Sequence, residues 1–91
     1  MKSFYVYIVE CVDHTLYTGY AADVFARVKK HNEGLGAKYT RARRPVSCRI
    51  YWKCESKSEA LRLEARIKRL TRQAKLKLIA TSQFPLPNSL E

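Results

Sequence analysis

The stretch SFYVYIVECVDHTLYTGYAADVFARVKKHN, from Ser3 to Asn32, decides the fold. Ser3–Cys11 is rich in β-branched and aromatic side chains, the composition of a strand. VDHT follows as a turn, because Asp13 and His14 both tolerate left-handed backbone. LYTGY, Leu16 to Tyr20, then reads as the returning strand of a β-hairpin. Asp23 stands as the N-cap of a helix from Val24 to about Asn32, and Gly34 stops it. On a wheel of about 100° per residue, Val24, Phe25 and Val28 form one apolar arc. Arg27 and His31 lie together at the border of that arc, and Lys29 and Lys30 point to water.

Outward from this unit the chain repeats the alternation of strand and helix. GLGAKYTRARRP (Gly34–Pro45) reads as a loop carrying the cations Lys38, Arg41, Arg43 and Arg44. VSCRIYWKC (Val46–Cys54) alternates Val46, Cys48, Ile50 and Trp52 against Ser47, Arg49, Tyr51 and Lys53, the pattern of a strand with one buried face. SKSEALRLEARIKRL opens with a capping box, Ser56 and Glu59, and Ala60, Leu63, Ile67 and Leu70 make its apolar stripe. A last short helix is expected from about Arg72 to Ala80, capped by Thr71. The expected order is β-β-α-β-α-α, an α/β (α+β) fold with a small three-stranded antiparallel sheet flanked by helices. One domain is expected over residues 1–80, with an irregular tail at 81–91 whose final Leu90 and Glu91 have the character of a cloning scar.

The charge balance gives the first functional clue. Eighteen Lys and Arg against eight Asp and Glu leave a formal net charge of +10 on 91 residues. Such a field attracts polyanions, and nucleic acid is the commonest of them; the plainer alternative is a solvated basic surface. With 46% hydrophobic and 29% charged residues the chain reads as globular, not disordered. Cys11, Cys48 and Cys54 form no CxxC pair, which suits reduced thiols in a reducing compartment. Tyr5, Tyr7 and Glu10 interrupt the first apolar run, which also lacks a small-residue cleavage site, and no stretch has membrane-spanning length. A cytoplasmic protein with no membrane partner is expected.

Glu64 is the most informative carboxylate. On the helical wheel it falls within about 40–60° of Ala60 and Ile67, so it faces or borders the core. A carboxylate there needs a partner or a metal, since burying it unpaired is costly. An ordinary i, i+4 salt bridge to Lys68 serves as well, and the pattern leaves the two readings even. Tyr7, Tyr17, Arg27, His31 and Glu64 all sit at element edges that one sheet surface is able to gather. Gly19 reads as structural, a strand end beside Tyr17.

These residues resemble the GIY-YIG endonucleases. YVY (Tyr5–Tyr7) matches the first motif with Tyr5 in place of Gly and Tyr7 at its tyrosine. YTG (Tyr17–Gly19) matches the second with Thr for Ile, and the two tyrosines are ten residues apart, as in the family. DVFARVKKHN then supplies Arg27 and His31, and SEALRLEARIKRL places Glu64 where the family has its metal-binding glutamate. The likeness runs from about Phe4 to Ile79 and is nearest to small stand-alone bacterial members. It extends to the nuclease domain of the eukaryotic branched-DNA structure-specific endonuclease, which shares a loop like GAKYTRARRP. Three departures stand out: Tyr20 where the excision nucleases have Lys, His31 where other members have Tyr, and no Asn from Ala65 to Gln83.

The resemblance implies a metal-dependent endonuclease that hydrolyses phosphodiester bonds in DNA, structure-dependent or weakly selective, with a place in DNA repair or recombination. By that likeness Glu64 holds one Mg²⁺ or Mn²⁺, Tyr17 is the general base, Arg27 clamps the phosphate, and Tyr7 and His31 orient water or assist proton transfer. Lys38, Arg41, Arg43 and Arg44 are expected to grip the backbone, with Tyr39 stacking on a base. DNA is the expected partner ahead of RNA, with a protein partner supplying selectivity. Two other readings remain open: a non-catalytic DNA- or RNA-binding module, and a protein-interaction adaptor using the basic loop.

Overall fold

The run FYVYIVE is apolar without alternation because its strand is covered on both faces. β1 (Phe4–Glu10) lies between β2 (Leu16–Ala21) and β3 (Ser47–Cys54) in an antiparallel sheet of order β2-β1-β3. Val6, Tyr7, Ile8 and Val9 are all buried. The structure, a computed structural model, describes residues 3–81. The hairpin turn is closed by the Cys11 N–H donating to the Thr15 carbonyl at 2.9 Å, with His14 at φ 67°. Asp13 Oδ1 accepts from the Thr15 hydroxyl at 2.6 Å.

The two faces of the sheet carry separate cores. On one, Val6, Ile8 and Cys54 pack with Ala60 and Ile67 of α3 (Lys57–Lys68) and Leu78 of α4 (Arg72–Thr81). On the other, Tyr7, Val9, Cys11 and Ala21 pack with Val46 and with Val24 of α1 (Val24–Asn32). The caps follow the sequence. Asp23 Oδ1 accepts from the Ala26 N–H at 3.0 Å, Ser56 Oγ from Glu59 at 3.1 Å, and Thr71 Oγ1 from Ala74 at 3.1 Å. The return half of the capping box closes one residue early: Glu59 Oε1 accepts from the N–H of Glu55, not of Ser56.

Several expectations are corrected. The loop from Gly34 to Pro45 contains a short helix, α2 (Lys38–Arg41), organised by the buried Thr40. Phe25 is 74% exposed and not part of α1's apolar face, which is Val24 and His31 with Val28 half buried. His31 turns inward because partners wait for it there. On β3, Ile50 pairs with Ile8 but Cys48 pairs with Val9, so Arg49 is an extra residue in the register. That bulge moves Cys48 to the α1 core while Ile50 and Trp52 stay in the α3 core, and a single buried face does not hold. β3 begins at Ser47, and α4 ends at Thr81, one residue beyond its expected end. The remainder of the expected tail lies outside the described residues. Among those described, no helix is long and apolar enough to cross a membrane.

One side chain clips α1 to the start of β3. Asn32 Oδ1 accepts from the Val46 N–H at 2.7 Å, and Asn32 Nδ2 donates to the Val46 carbonyl at 3.0 Å, as a neighbouring strand would. Asn32→Ala leaves both backbone groups of a buried residue without these partners. The expected cost is about 1–3 kcal/mol, read as a lower urea midpoint at unchanged slope.

Candidate active site

The hairpin register sets the first two groups. Tyr7 faces Gly19 and Val9 faces Tyr17, so the two tyrosines are diagonal neighbours on the α1 face. Gly19 lies inside β2, not at its end, and its value is close approach. A Cβ there would stand 2.6 Å from Tyr7 Oη and 3.2 Å from Tyr17 Cε2, so the Tyr7 ring lies across the glycine.

α1 supplies the next two. Tyr7 Oη and His31 Nε2 are 2.9 Å apart, and His31 Nδ1 lies 2.8 Å from Thr40 Oγ1. The Ala37 N–H donates to Nδ1 at 3.3 Å. The Thr40 hydroxyl in turn donates to the Ala37 carbonyl at 3.0 Å, so both imidazole nitrogens are held by hydrogen bonds and the ring is fixed in place. Gly36 makes room, since a Cβ there would meet Nδ1 at 2.3 Å. Thr40, Ala37 and Gly36 are the members that sequence reasoning missed; a lone threonine among the cations of KYTRARR was the available signal. Arg27 is exposed at the sheet's β2 side, where its Nη1 donates to the Tyr20 carbonyl at a long 3.5 Å.

Glu64 arrives from the opposite face, on α3, which packs on β1 and β2. Its side chain is 15% exposed, and Oε2 pairs with Lys68 Nζ at 3.4 Å. Of the two readings of the sequence the structure shows the ion pair, and the charge of this carboxylate is also felt at Tyr7. Burial, then Tyr17, and to a smaller degree Glu64 push the Tyr7 phenol up to about 12, with Arg27 pulling against them. Burial, and then Arg27, hold His31 below its ordinary value. The Tyr7 hydroxyl is thus bonded to His31 and lies within the electrostatic reach of Tyr17, Arg27 and, from the other side of the sheet, Glu64. Among the described residues no three His, Cys, Asp or Glu side chains cluster as a metal site.

The basic segment is folded onto this site. Tyr39 stacks on Tyr17 with centroids 5.7 Å apart and planes at 26°, and the Arg43 guanidinium covers Tyr39's ring 4.1 Å from its centroid. Arg43 also donates to Asp13 Oδ2 at 3.1 Å and to the Tyr39 carbonyl at 2.9 Å. The Tyr39 ring, which the sequence suggested for a base, is 39% exposed and already engaged by Tyr17 and Arg43. Arg44 donates to the carbonyls of Arg41 at 2.8 Å and Asn32 at 3.4 Å. Lys38 and Arg41 are exposed, and Arg41 and Arg44 line a basic cleft of about 500 Å³ with Asn32, Ala42 and Pro45.

The chain is similar to known proteins over most of its length. A family model described as the GIY-YIG catalytic domain matches residues 3–77. A UPF0213 protein of Staphylococcus aureus strain Mu50 is 61% identical over 79 residues, covering 87% of this chain and 96% of its own. The solution NMR structure of a UPF0213 protein from Bacillus halodurans is 46% identical, with a TM-score of 0.58, covering 96% of this chain and 93% of that one. A second NMR structure, from E. faecalis, is 43% identical with a TM-score of 0.61 and covers 89% and 86%. The UPF0213 name assigns no activity to these relatives.

Two outcomes follow from the buried network. Gly19→Ala forces Tyr7 off His31, with an expected loss of about 1–3 kcal/mol in chemical denaturation and a displaced His31 ring signal in NMR. Because His31's folded pKa lies below its unfolded value, the unfolded chain binds more protons at mildly acidic pH. This contribution is therefore full above about pH 6.5 and is lost as pH falls through the folded value. Urea midpoints of the parent are expected to drop as pH is lowered below that point, and those of His31→Gln to drop less.

Proposed function

Because the chain belongs to the GIY-YIG catalytic domain family, we propose that it is a metal-dependent endonuclease that hydrolyses phosphodiester bonds in DNA. The observation that supports the reading is the buried Tyr7 hydroxyl, hydrogen-bonded to His31 and within the electrostatic reach of Tyr17, Arg27 and Glu64. In this reading Tyr17 accepts a proton from the attacking water. Tyr7, with its phenol near 12, stays protonated at neutral pH and orients the water or a phosphate oxygen as a donor. His31 holds Tyr7 in place. Arg27, exposed beside them, clamps the scissile phosphate through its planar fork.

Glu64 suits Mg²⁺ or Mn²⁺ through the chemistry of its donors. It is a hard carboxylate oxygen, and Mg²⁺ keeps several waters and needs only one or two carboxylates, so the lack of a larger ligand cluster among the described residues is no obstacle. When bound, the cation supplies charge neutralisation at the phosphate and the leaving oxygen. Lys38, Arg41 and the Arg44 cleft hold flanking phosphates, which gives grip without base sequence. Selectivity is then structural or weak, or is supplied by a protein partner.

The Glu64–Lys68 ion pair favours a second reading, a nucleic-acid-binding module without catalysis, since the carboxylate already has a counter-ion. Incubating the parent and Glu64→Ala with labelled branched and linear DNA, in Mg²⁺, Mn²⁺ or EDTA, separates the two. Metal-dependent cutting by the parent and none by Glu64→Ala is expected, and Arg27→Ala should cut at least about a hundredfold more slowly. If both parent and Glu64→Ala bind DNA and neither cuts any substrate, the module replaces the enzyme.

A further inference from the structure

Three aromatic rings stand together at the β3 side of the α1 face, and no role described so far uses them. Tyr5 and Tyr51 meet edge to face at 5.8 Å and 82°, and Phe25 meets Tyr51 at 6.3 Å and 74°. Phe25 is 74% exposed and Tyr51 48%. With Ala22, Asp23 and Val24 they line a cleft of about 250 Å³. A single exposed apolar residue needs no explanation, but an exposed cluster of rings around a concavity marks a ligand surface.

We propose that this cleft is a stacking subsite for one nucleobase of the strand that crosses the active site, which rests on nucleic acid being the substrate as proposed above. Charge selects the occupant. Lys29 follows Phe25 by one helical turn on the same edge of α1, Lys53 pairs with Tyr5 across β1 and β3, and the whole chain carries +10. This field repels a cationic ligand, the other guest that aromatic walls suit, and draws in a planar ring carried on a polyanion. The one acid lining the cleft, Asp23, has an oxygen committed to capping α1.

Position and alternatives agree. Tyr5 precedes Tyr7 by two residues on the same sheet face, and Tyr51 is Tyr7's direct partner on β3. A strand held at Tyr7 therefore has bases within reach of the cleft. Tyr39, another exposed ring near the site, is already stacked on Tyr17 and under the Arg43 guanidinium. Phe25 is the ring that stands open. Stacking on an aromatic ring is tolerant of base identity, which suits an enzyme without sequence preference.

The test is fluorescence anisotropy of the full chain in EDTA with two short labelled single strands, one of deoxyadenosine and one of abasic deoxyribose. The parent is expected to bind the adenine strand about tenfold more tightly. Phe25→Ala should abolish that difference and leave abasic binding unchanged, and Phe25→Tyr should keep it. Phe25 lies outside the core, so the alanine variant tests binding and not folding. A parent that binds neither strand, or both equally, overturns the proposal, as does a Phe25→Ala variant that weakens both alike. Unchanged strand binding with altered self-association in Phe25→Ala would assign the cleft to a protein contact and overturn it too. Discrimination by a parent that cuts no DNA would remove the endonuclease reading and leave the subsite; cutting without discrimination would do the reverse.

Discussion

The 2.9 Å hydrogen bond between Tyr7 and His31 is the contact on which the rest of the molecule depends. Both side chains are almost wholly buried, and a buried polar group that loses its partner costs about 1–3 kcal/mol. Through this bond the central strand fixes α1. Through the other nitrogen of the same imidazole, α1 fixes the segment of Ala37 and Thr40. Three pieces of chain distant in sequence are thus registered against one ring. Two positions without a side chain permit it, Gly19 under Tyr7 and Gly36 beside Nδ1. Any other residue at either place would wedge the network open.

That constraint divides the labour of the two tyrosines. Tyr7 is locked between the sheet and α1, and burial with the neighbouring Tyr17 and Glu64 charges keeps its proton in place. Tyr17 is half buried at the front of the site, in a column with Tyr39 and Arg43 on one side and the His31 ring 5.4 Å away on the other. The proton-accepting part of the proposed chemistry therefore falls to Tyr17. The basic loop, stacked on that ring, gains a second role, because besides attracting phosphates it sets the plane of Tyr17. Arg43, tied to Asp13 at the hairpin turn, anchors the column.

Local rules made the elements legible. The hairpin, the caps at Asp23, Ser56 and Thr71, and the order of strands and helices along the chain follow from periodicity and turn chemistry within a few residues. The approach of Tyr7, Tyr17 and His31 was also legible, because their spacing carries the family pattern, whereas Glu64 stands on the helix that covers the other face of the sheet. What escaped was non-local. The bulge at Arg49 depends on how β3 registers on β1, which alternation alone does not encode. His31 looked like a border residue because its partners, Tyr7 and Thr40, lie 24 and 9 residues away. Phe25 looked like core because a wheel does not say that a narrow sheet face is already filled by Val24, Val28 and His31. The stack of Tyr39 on Tyr17 leaves no trace in spacing.

Glu64 was the one residue for which the sequence offered two equal accounts, and the geometry explains why neither excludes the other. Its partner Lys68 is one helical turn away and half exposed, and such a pair contributes only a few tenths of a kcal/mol. A bond that weak holds the carboxylate in place without holding it back. A divalent cation, with twice the charge and a preference for carboxylate oxygen, competes easily for the same atoms. Lys68 is left close to a second lysine, Lys75, whose burial, and then Lys68's like charge, loosen its own proton. In the proposed enzyme Glu64 would hold the cation, and Lys68 would be the counter-ion that the cation replaces.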